Sequence, residues 1–317
     1  MSSNSQDKCG LKSKIGGQAL IEGIMMRGID KASMACRLPN GEIDLEQWEI
    51  KNGKNPPWYK KIPFIRGSIN FVSMLVEGYR CLSKSADKQM EDDGSEEMTK
   101  FEKWLDDKFG EKLMPVLTVF AVLIGAALAI GLFVFMPVVV VKLFEKNIES
   151  HFVLSLIEGL IKIGVFIIYI ALMSLAKDIR KTFEYHGAEH KSIFCYESGE
   201  ELTVENVKKQ SRFHPRCSTS FIFIIFIVGI LVFTLVTWSS RLVRTLIKLA
   251  LMPVVIGISY EIIRLAGRHD NILTRIISAP GLWLQRLTTK EPDDKQIEVA
   301  IKALEAVIPE NKEEDKW

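Results

Sequence analysis

Between Lys112 and Lys142 the chain runs for 29 residues, "LMPVLTVFAVLIGAALAIGLFVFMPVVVV", without one charged side chain. About 20 apolar residues cross the hydrocarbon core of a bilayer, and there only a helix or closed barrel pairs every backbone N–H and C=O. The stretch therefore predicts a transmembrane helix, and the rest of the chain has to be arranged around it. A second uncharged run of 24 residues lies between Arg216 and Arg241 and reads the same way. Two further apolar segments carry charges: Phe152 to Ala176 contains Glu158 and Lys162, and Leu242 to Ala266 contains Arg244, Lys248, Glu261 and Arg264. About four spans are expected.

The first 60 residues are polar and lack the apolar core of a signal peptide, so insertion is expected through the first span. The loop from Lys177 to Ser218 carries eight Lys and Arg, against two in each of the short connections Lys142 to His151 and Ser239 to Arg244. The positive-inside rule then places that loop and both termini in the cytoplasm of a multi-pass cell-membrane protein. An odd number of cysteines (Cys9, Cys36, Cys81, Cys195, Cys217) mostly on that side argues for free thiols or metal ligands. The net charge of +2 and the absence of a basic stripe with interleaved aromatics speak against nucleic acid as a partner.

The expected fold is mainly α: an integral membrane helical bundle with interfacial helices and a small N-terminal soluble region that contains a β-hairpin. Residues 1–60 form that region, with the hairpin turning at Pro39-Asn40-Gly41. Residues 61–112 hold an interfacial or re-entrant helix at Ile62 to Leu82, the acidic connector "MEDDGSEEMTK" and a short amphipathic piece at Phe101 to Phe109. Residues 113–290 are the membrane core with its cytoplasmic loop 177–218, and residues 291–317 an amphipathic helix and tail. Within the first span Ala121, Gly125 and Ala129 are spaced for close helix packing. Glu158 and Lys162 form an i,i+4 pair that must face a partner or a wet cavity. "ISAPGLWLQRLTT" reads as a Pro-Gly-broken interfacial segment. The face Ile297, Ile301, Leu304 and Ile308 needs a protein surface to cover it.

The chemistry-bearing stretch is "EYHGAEH". His186-Gly187-Ala188-Glu189-His190 fits H-x-x-E-H, in which a helix projects two imidazoles from one face and sets a carboxylate beside the metal-bound water. Gly187 counts against a helix there. A third ligand is required, and the candidates are His214 and Cys217 in "RFHPRCSTSF" and Glu261 in the last span. Arg216, Arg264 and Arg268 are placed to attract an anionic head group. In "GGQALIEGIMMRG", Gly16, Gly17, Gly23 and Gly28 permit close backbone approach, and Gln18, Glu22 and Arg27 are the polar groups such an approach would bring into a site.

With "IPFIRGSINF", "ISYEIIRLAGR" and "PGLWLQRLTTKEPDD", these stretches resemble, in order from about Lys14 to Leu304, the YqhQ-like family of bacterial membrane proteins. The resemblance implies a metal-dependent enzyme and specifies neither reaction nor substrate. Ser218 stands where the family pattern has glycine, which bears on the shape of that loop.

Two functions are expected to compete. One is a metalloenzyme with zinc or another divalent metal, a hydrolase acting at the cytoplasmic face on a lipid-linked or membrane-peptide substrate, with Glu189 as base. The other is a transporter or scaffold with a structural metal, working as a homo-oligomer or with a membrane-protein partner. Membrane lipid is a partner in either case. A membrane di-iron oxygenase, needing roughly eight histidines, is excluded by a total of five.

Overall fold

The computed structural model describes residues 12–51, 53–90, 113–145, 147–236, 241–269 and 271–315. It is mainly helical with a small N-terminal antiparallel sheet. Strands β1 (Gly16–Leu20), β2 (Gly23–Arg27), β3 (Lys31–Arg37) and β4 (Ile43–Glu49) pair in that order as a meander. The β3–β4 hairpin is the one expected, with Gly41 at φ 88° in its turn. β1 and β2 were not: "GGQALIEGIMMRG" forms two strands joined through Glu22 at φ 50°. β2 is central and buried from Gly23 to Met26, so its sequence lacks the alternation that marks a half-exposed strand.

Helix α1 (Ile65–Met90) covers one sheet face, where Cys81 meets Leu20, Met25, Met34 and Cys36. It is about two turns longer than expected at its C-terminal end, because that end rests on the sheet. Its other side exposes Val72, Leu75, Val76 and Tyr79. The opposite sheet face packs on α5 (Lys177–Glu197) and α10 (Asp294–Glu305) through Ile24, Met26 and Ala35 against Tyr185, Ile297 and Ala300. The amphipathic face of α10 thus finds its cover, with Ile297 and Leu304 fully buried and Ile301 and Ile308 partly so. The acidic connector and the piece at Phe101 to Phe109 lie outside the described residues.

The apolar part comprises α2 (Leu113–Ile130), which runs through a π-helical turn at Gly131–Phe135 into α3 (Met136–Lys142), then α4 (His151–Met173), α7 (Ser218–Thr234), α8 (Arg241–Arg268) and α9 (Ile272–Thr288). The π turn absorbs Pro137, which has no N–H to give. Between α5 and α7 lies the short α6 (Val204–Lys209). Three segments are long and apolar enough to cross a membrane: Val119–Lys142, Phe152–Met173 and Thr245–Arg268. At 17 residues α7 rises about 26 Å, short of a roughly 30 Å core, and residues 237–240 lie outside the described ones. Among the described residues the four expected spans are therefore three helices long and apolar enough to cross and one shorter apolar helix.

The charges expected at depth in the second and fourth apolar segments meet each other at Glu158. Glu158 accepts from Lys162 at 2.6 Å and from Lys248 of α8 at 3.0 Å. α1 and α8 touch backbone to backbone, since a Cβ on Gly257 would lie 2.5 Å from the Phe64 carbonyl oxygen. Gly125, read for helix packing, has no neighbour within 4 Å. The expected break at Pro280-Gly281 is absent. α9 is continuous, and Gly281 instead lets it pass against Ser220 of α7, whose Cα would sit 2.7 Å from a Cβ there.

Candidate metal centre

α5 carries His186, Glu189 and His190 near its middle, one turn apart on one face, as the H-x-x-E-H spacing predicts. Gly187 does not end the helix. It admits the strap between α9 and α10, whose Lys290 N–H donates to the Phe183 carbonyl at 2.9 Å. Cys217 caps the start of α7 and is buried, as is His190. One ligand atom from each of His186, His190 and Cys217 lies within 4.8 Å of the others, the one such group among the described residues.

The orientation of both rings is set by backbone carbonyls. His186 Nδ1 donates to Thr288 O at 2.8 Å and His190 Nδ1 to Arg212 O at 2.6 Å. A carbonyl only accepts, so both Nδ1 atoms carry a proton and both Nε2 atoms are turned toward Cys217. His186 Nε2 stands 3.2 Å from Cys217 Sγ. Tetrahedral zinc with Zn–N about 2.0 Å and Zn–S about 2.3 Å separates such donors by about 3.5 Å. Two neutral imidazoles with their far nitrogens pinned, together with one thiolate, are the donor set and supporting contacts that zinc takes.

Without an ion the electrostatics describe a Cys217 thiolate paired with a protonated His186, whose Nε2 proton a metal would displace. Burial pushes the Cys217 thiol up, but His186 and His190 outweigh it and hold the group well below its usual value. Burial would lower His186, yet the neighbouring Cys217 sulfur raises it to about 9. Glu189 is raised by burial, against the pull of the two histidines. The Gly17 N–H contacts this carboxyl, and a Cβ at Gly17 would lie 3.0 Å from its carbon. The glycine-rich strand therefore reaches the centre through its backbone.

The other sequence candidates are distributed differently. His214 is adjacent, its ring 5.5 Å from that of His190, but its Nε2 faces Arg216 at 3.2 Å and Glu197 at 3.9 Å. Burial and Arg216 lower it to about 4 against the pull of Glu197, so it is a neutral neighbour of the three donors. Arg216 pairs with Glu197 and donates to Ser13 O at 2.6 Å, which fixes the turn that presents Cys217. Glu261 does not join: its carboxylate accepts from Arg66 Nε at 2.7 Å and from the Phe64 N–H, so an ion pair holds the proposed third ligand. Glu22 binds the Tyr185 hydroxyl and Lys181, Arg27 pairs with Glu77, and Gln18 lies against Gly78 of α1. None of these three enters the cluster. Arg264 and Arg268 lie along α8.

Sequence reasoning missed Gln285. Fully buried, it clamps the His214 turn by accepting from its N–H at 2.8 Å and donating to its carbonyl at 2.7 Å. A lone amide inside the apolar "GLWLQRL" was the available signal. Two surface concavities, of about 460 and 350 Å³, lie at Tyr196–Glu305 and at Asp30–Lys54, away from the cluster.

Fold and site define a mainly helical protein with three helices able to cross a membrane and a buried His-His-Cys cluster beside them. The chain belongs to the family described as "Protein of unknown function (DUF1385)", whose model matches residues 62–310. It is 36% identical over 294 residues to the uncharacterized protein YqhQ of Bacillus subtilis (strain 168), covering 92% of each chain. This agrees with the resemblance read from the ordered motifs. No solved structure matches.

Proposed function

We propose that this protein is a membrane-embedded metal-dependent enzyme, a hydrolase acting on a lipid-linked or membrane-peptide substrate near the cytoplasmic face. The convergence of His186, His190 and Cys217, with both Nδ1 atoms pinned by backbone carbonyls, carries the reading. A divalent metal such as zinc held by these three side chains would supply a Lewis acid that activates water or substrate. Glu189 takes the proton from the attacking water: burial raises its affinity for protons above that of an ordinary carboxylate, which favours a general base. Gly17 holds the carboxyl in place, and the less buried edge of His186 is the side of access. The positive loop 177–218 supports a reading in which the centre lies at the inner leaflet of the cell membrane and both termini are cytoplasmic.

The test is metal content of the detergent-purified chain by elemental mass spectrometry. Near one metal per chain is expected, lost in His186→Ala, His190→Ala and Cys217→Ser and kept in Glu189→Gln. A well-folded wild type that stays metal-free after reconstitution refutes the proposal.

Burial of the cluster favours a second reading, a structural metal tying α5 to α7 in a transporter or scaffold. Cobalt substitution separates the two, because added azide changes the visible spectrum only where a ligand position is open.

A further inference from the structure

Glu261, Arg264 and Arg268 follow one another at i, i+3 and i+7 along the last two turns of α8. Arg66 of α1 crosses this face and takes the Glu261 carboxylate through both its Nε and a terminal nitrogen. Arg264 is left with a marginal approach to the same carboxylate, at 4.0 Å. Arg268 has no carboxylate within that distance among the described residues. Two guanidinium groups thus share one carboxylate beside a third that has none in reach, and Arg66 and Arg268 both act on the charge of Arg264. Arg264 is three-quarters buried while Arg268 is exposed, so the excess charge forms a shelf leading inward from the helix end. Arg216 does not add to it. That guanidinium is committed to Glu197 and Ser13, and only its stem touches α8, at Gly267.

Two observations make this a ligand site rather than a surplus of surface charge. The shelf lies within about 10 Å of the end of the membrane-crossing segment Thr245–Arg268, the level at which lipid phosphates sit. Beside it Phe64, Ile65 and Leu265 are half exposed, an apolar wall next to the cations. A free phosphate needs only the guanidinium forks; cations bordered by an apolar wall suit a phosphate with an acyl chain attached.

We propose that Arg66, Arg264 and Arg268 form a binding site for the phosphate of an anionic membrane lipid, its acyl chain lying against Phe64, Ile65 and Leu265. The site rests on α8 being a membrane span, as in the reading above, and not on the metal.

Native mass spectrometry of the full chain in detergent, titrated with phosphatidylglycerol, phosphatidylcholine and inorganic phosphate, tests it. The wild type should hold phosphatidylglycerol about tenfold more tightly than phosphatidylcholine, because both offer a phosphate but the arginines repel the trimethylammonium group of the second. Arg264→Gln with Arg268→Gln should erase that preference. Arg264→Lys, which keeps the charge and the fold but not the fork, should lose part of it, and Lys209→Gln none. His190→Ala should bind the lipid as the wild type does, whatever its metal content. Unchanged preference in the double variant, equal binding of both lipids by the wild type, loss in His190→Ala, or displacement by equimolar inorganic phosphate would each overturn the assignment.

Discussion

Gly187 lies mid-helix in α5, where intrinsic propensity favours alanine by about 1 kcal/mol. The tertiary structure reverses that sign. A Cβ at 187 would stand closer than 3.0 Å to the Lys290 carbonyl oxygen, 3.2 Å from its carbon and 3.4 Å from Pro292 Cδ. These are mostly backbone atoms, so no rotamer change relieves the overlap. The strap has to lift, at an overpacking cost of about 1–3 kcal/mol. With it goes the Lys290–Phe183 hydrogen bond, worth about 1 kcal/mol. Set against the propensity gain, Gly187→Ala should destabilise by about 2 kcal/mol, which in a chain this long lowers Tm by roughly 4–8 °C. Thr288, whose carbonyl pins His186, ends the helix that enters the strap, so metal retention should fall too. Thermal unfolding in detergent, followed by tryptophan fluorescence, reads the effect. The comparison is Gly164→Ala in α4, where nothing lies within 4 Å and stability should hold or rise. If Gly187→Ala raised Tm as Gly164→Ala does, the reasoning would be wrong.

Three other perturbations follow from the same contacts. Lys84 and Lys88 each donate to Glu46 at 2.6 Å, and these bonds hold its carboxyl below the ordinary 4.5. A folded value below the unfolded one means stabilisation present above about 4.5 and lost as pH falls through the folded value. Glu46→Gln should flatten the stability profile in that acid window, as measured by Tm against pH. Glu158→Gln leaves Lys162 and Lys248 facing each other without their shared carboxylate and should cost about 3 kcal/mol; Lys162→Met in the same chain should recover part of it, and an unaltered Tm would speak against the triad. Glu261→Ala should lower thermal stability by freeing Arg66 while metal content stays at the wild-type level; loss of metal would return that residue to the coordination shell.

The sequence by itself determined what is local or periodic. The uncharged run of 29 residues dictated a helix long and apolar enough to span a bilayer, because lipid offers no partner to a backbone. Pro39-Asn40-Gly41 dictated a hairpin turn, and H-x-x-E-H put two imidazoles and a carboxylate on one helical face whatever surrounds them. The amphipathic stripe on α10 announced that something must cover it. What covers it, the second face of the N-terminal sheet, joins residues some 270 positions apart, as the Ser33 hydroxyl bonded to the Ala303 carbonyl shows. Such a pairing leaves no trace in local pattern.

Only the tertiary structure decided which third-ligand candidate lies beside the two histidines. Cys217 joined the histidines because Gln285 and Arg216 hold its turn against α9 and α5, while Arg66 claimed Glu261. It also gave Gly187 a meaning opposite to its propensity, since a close backbone crossing is a property of two segments. Residue type and spacing fix which groups can act as ligands. Which of them meet depends on long-range packing, where competing ion pairs and hydrogen bonds remove some candidates and orient the rest.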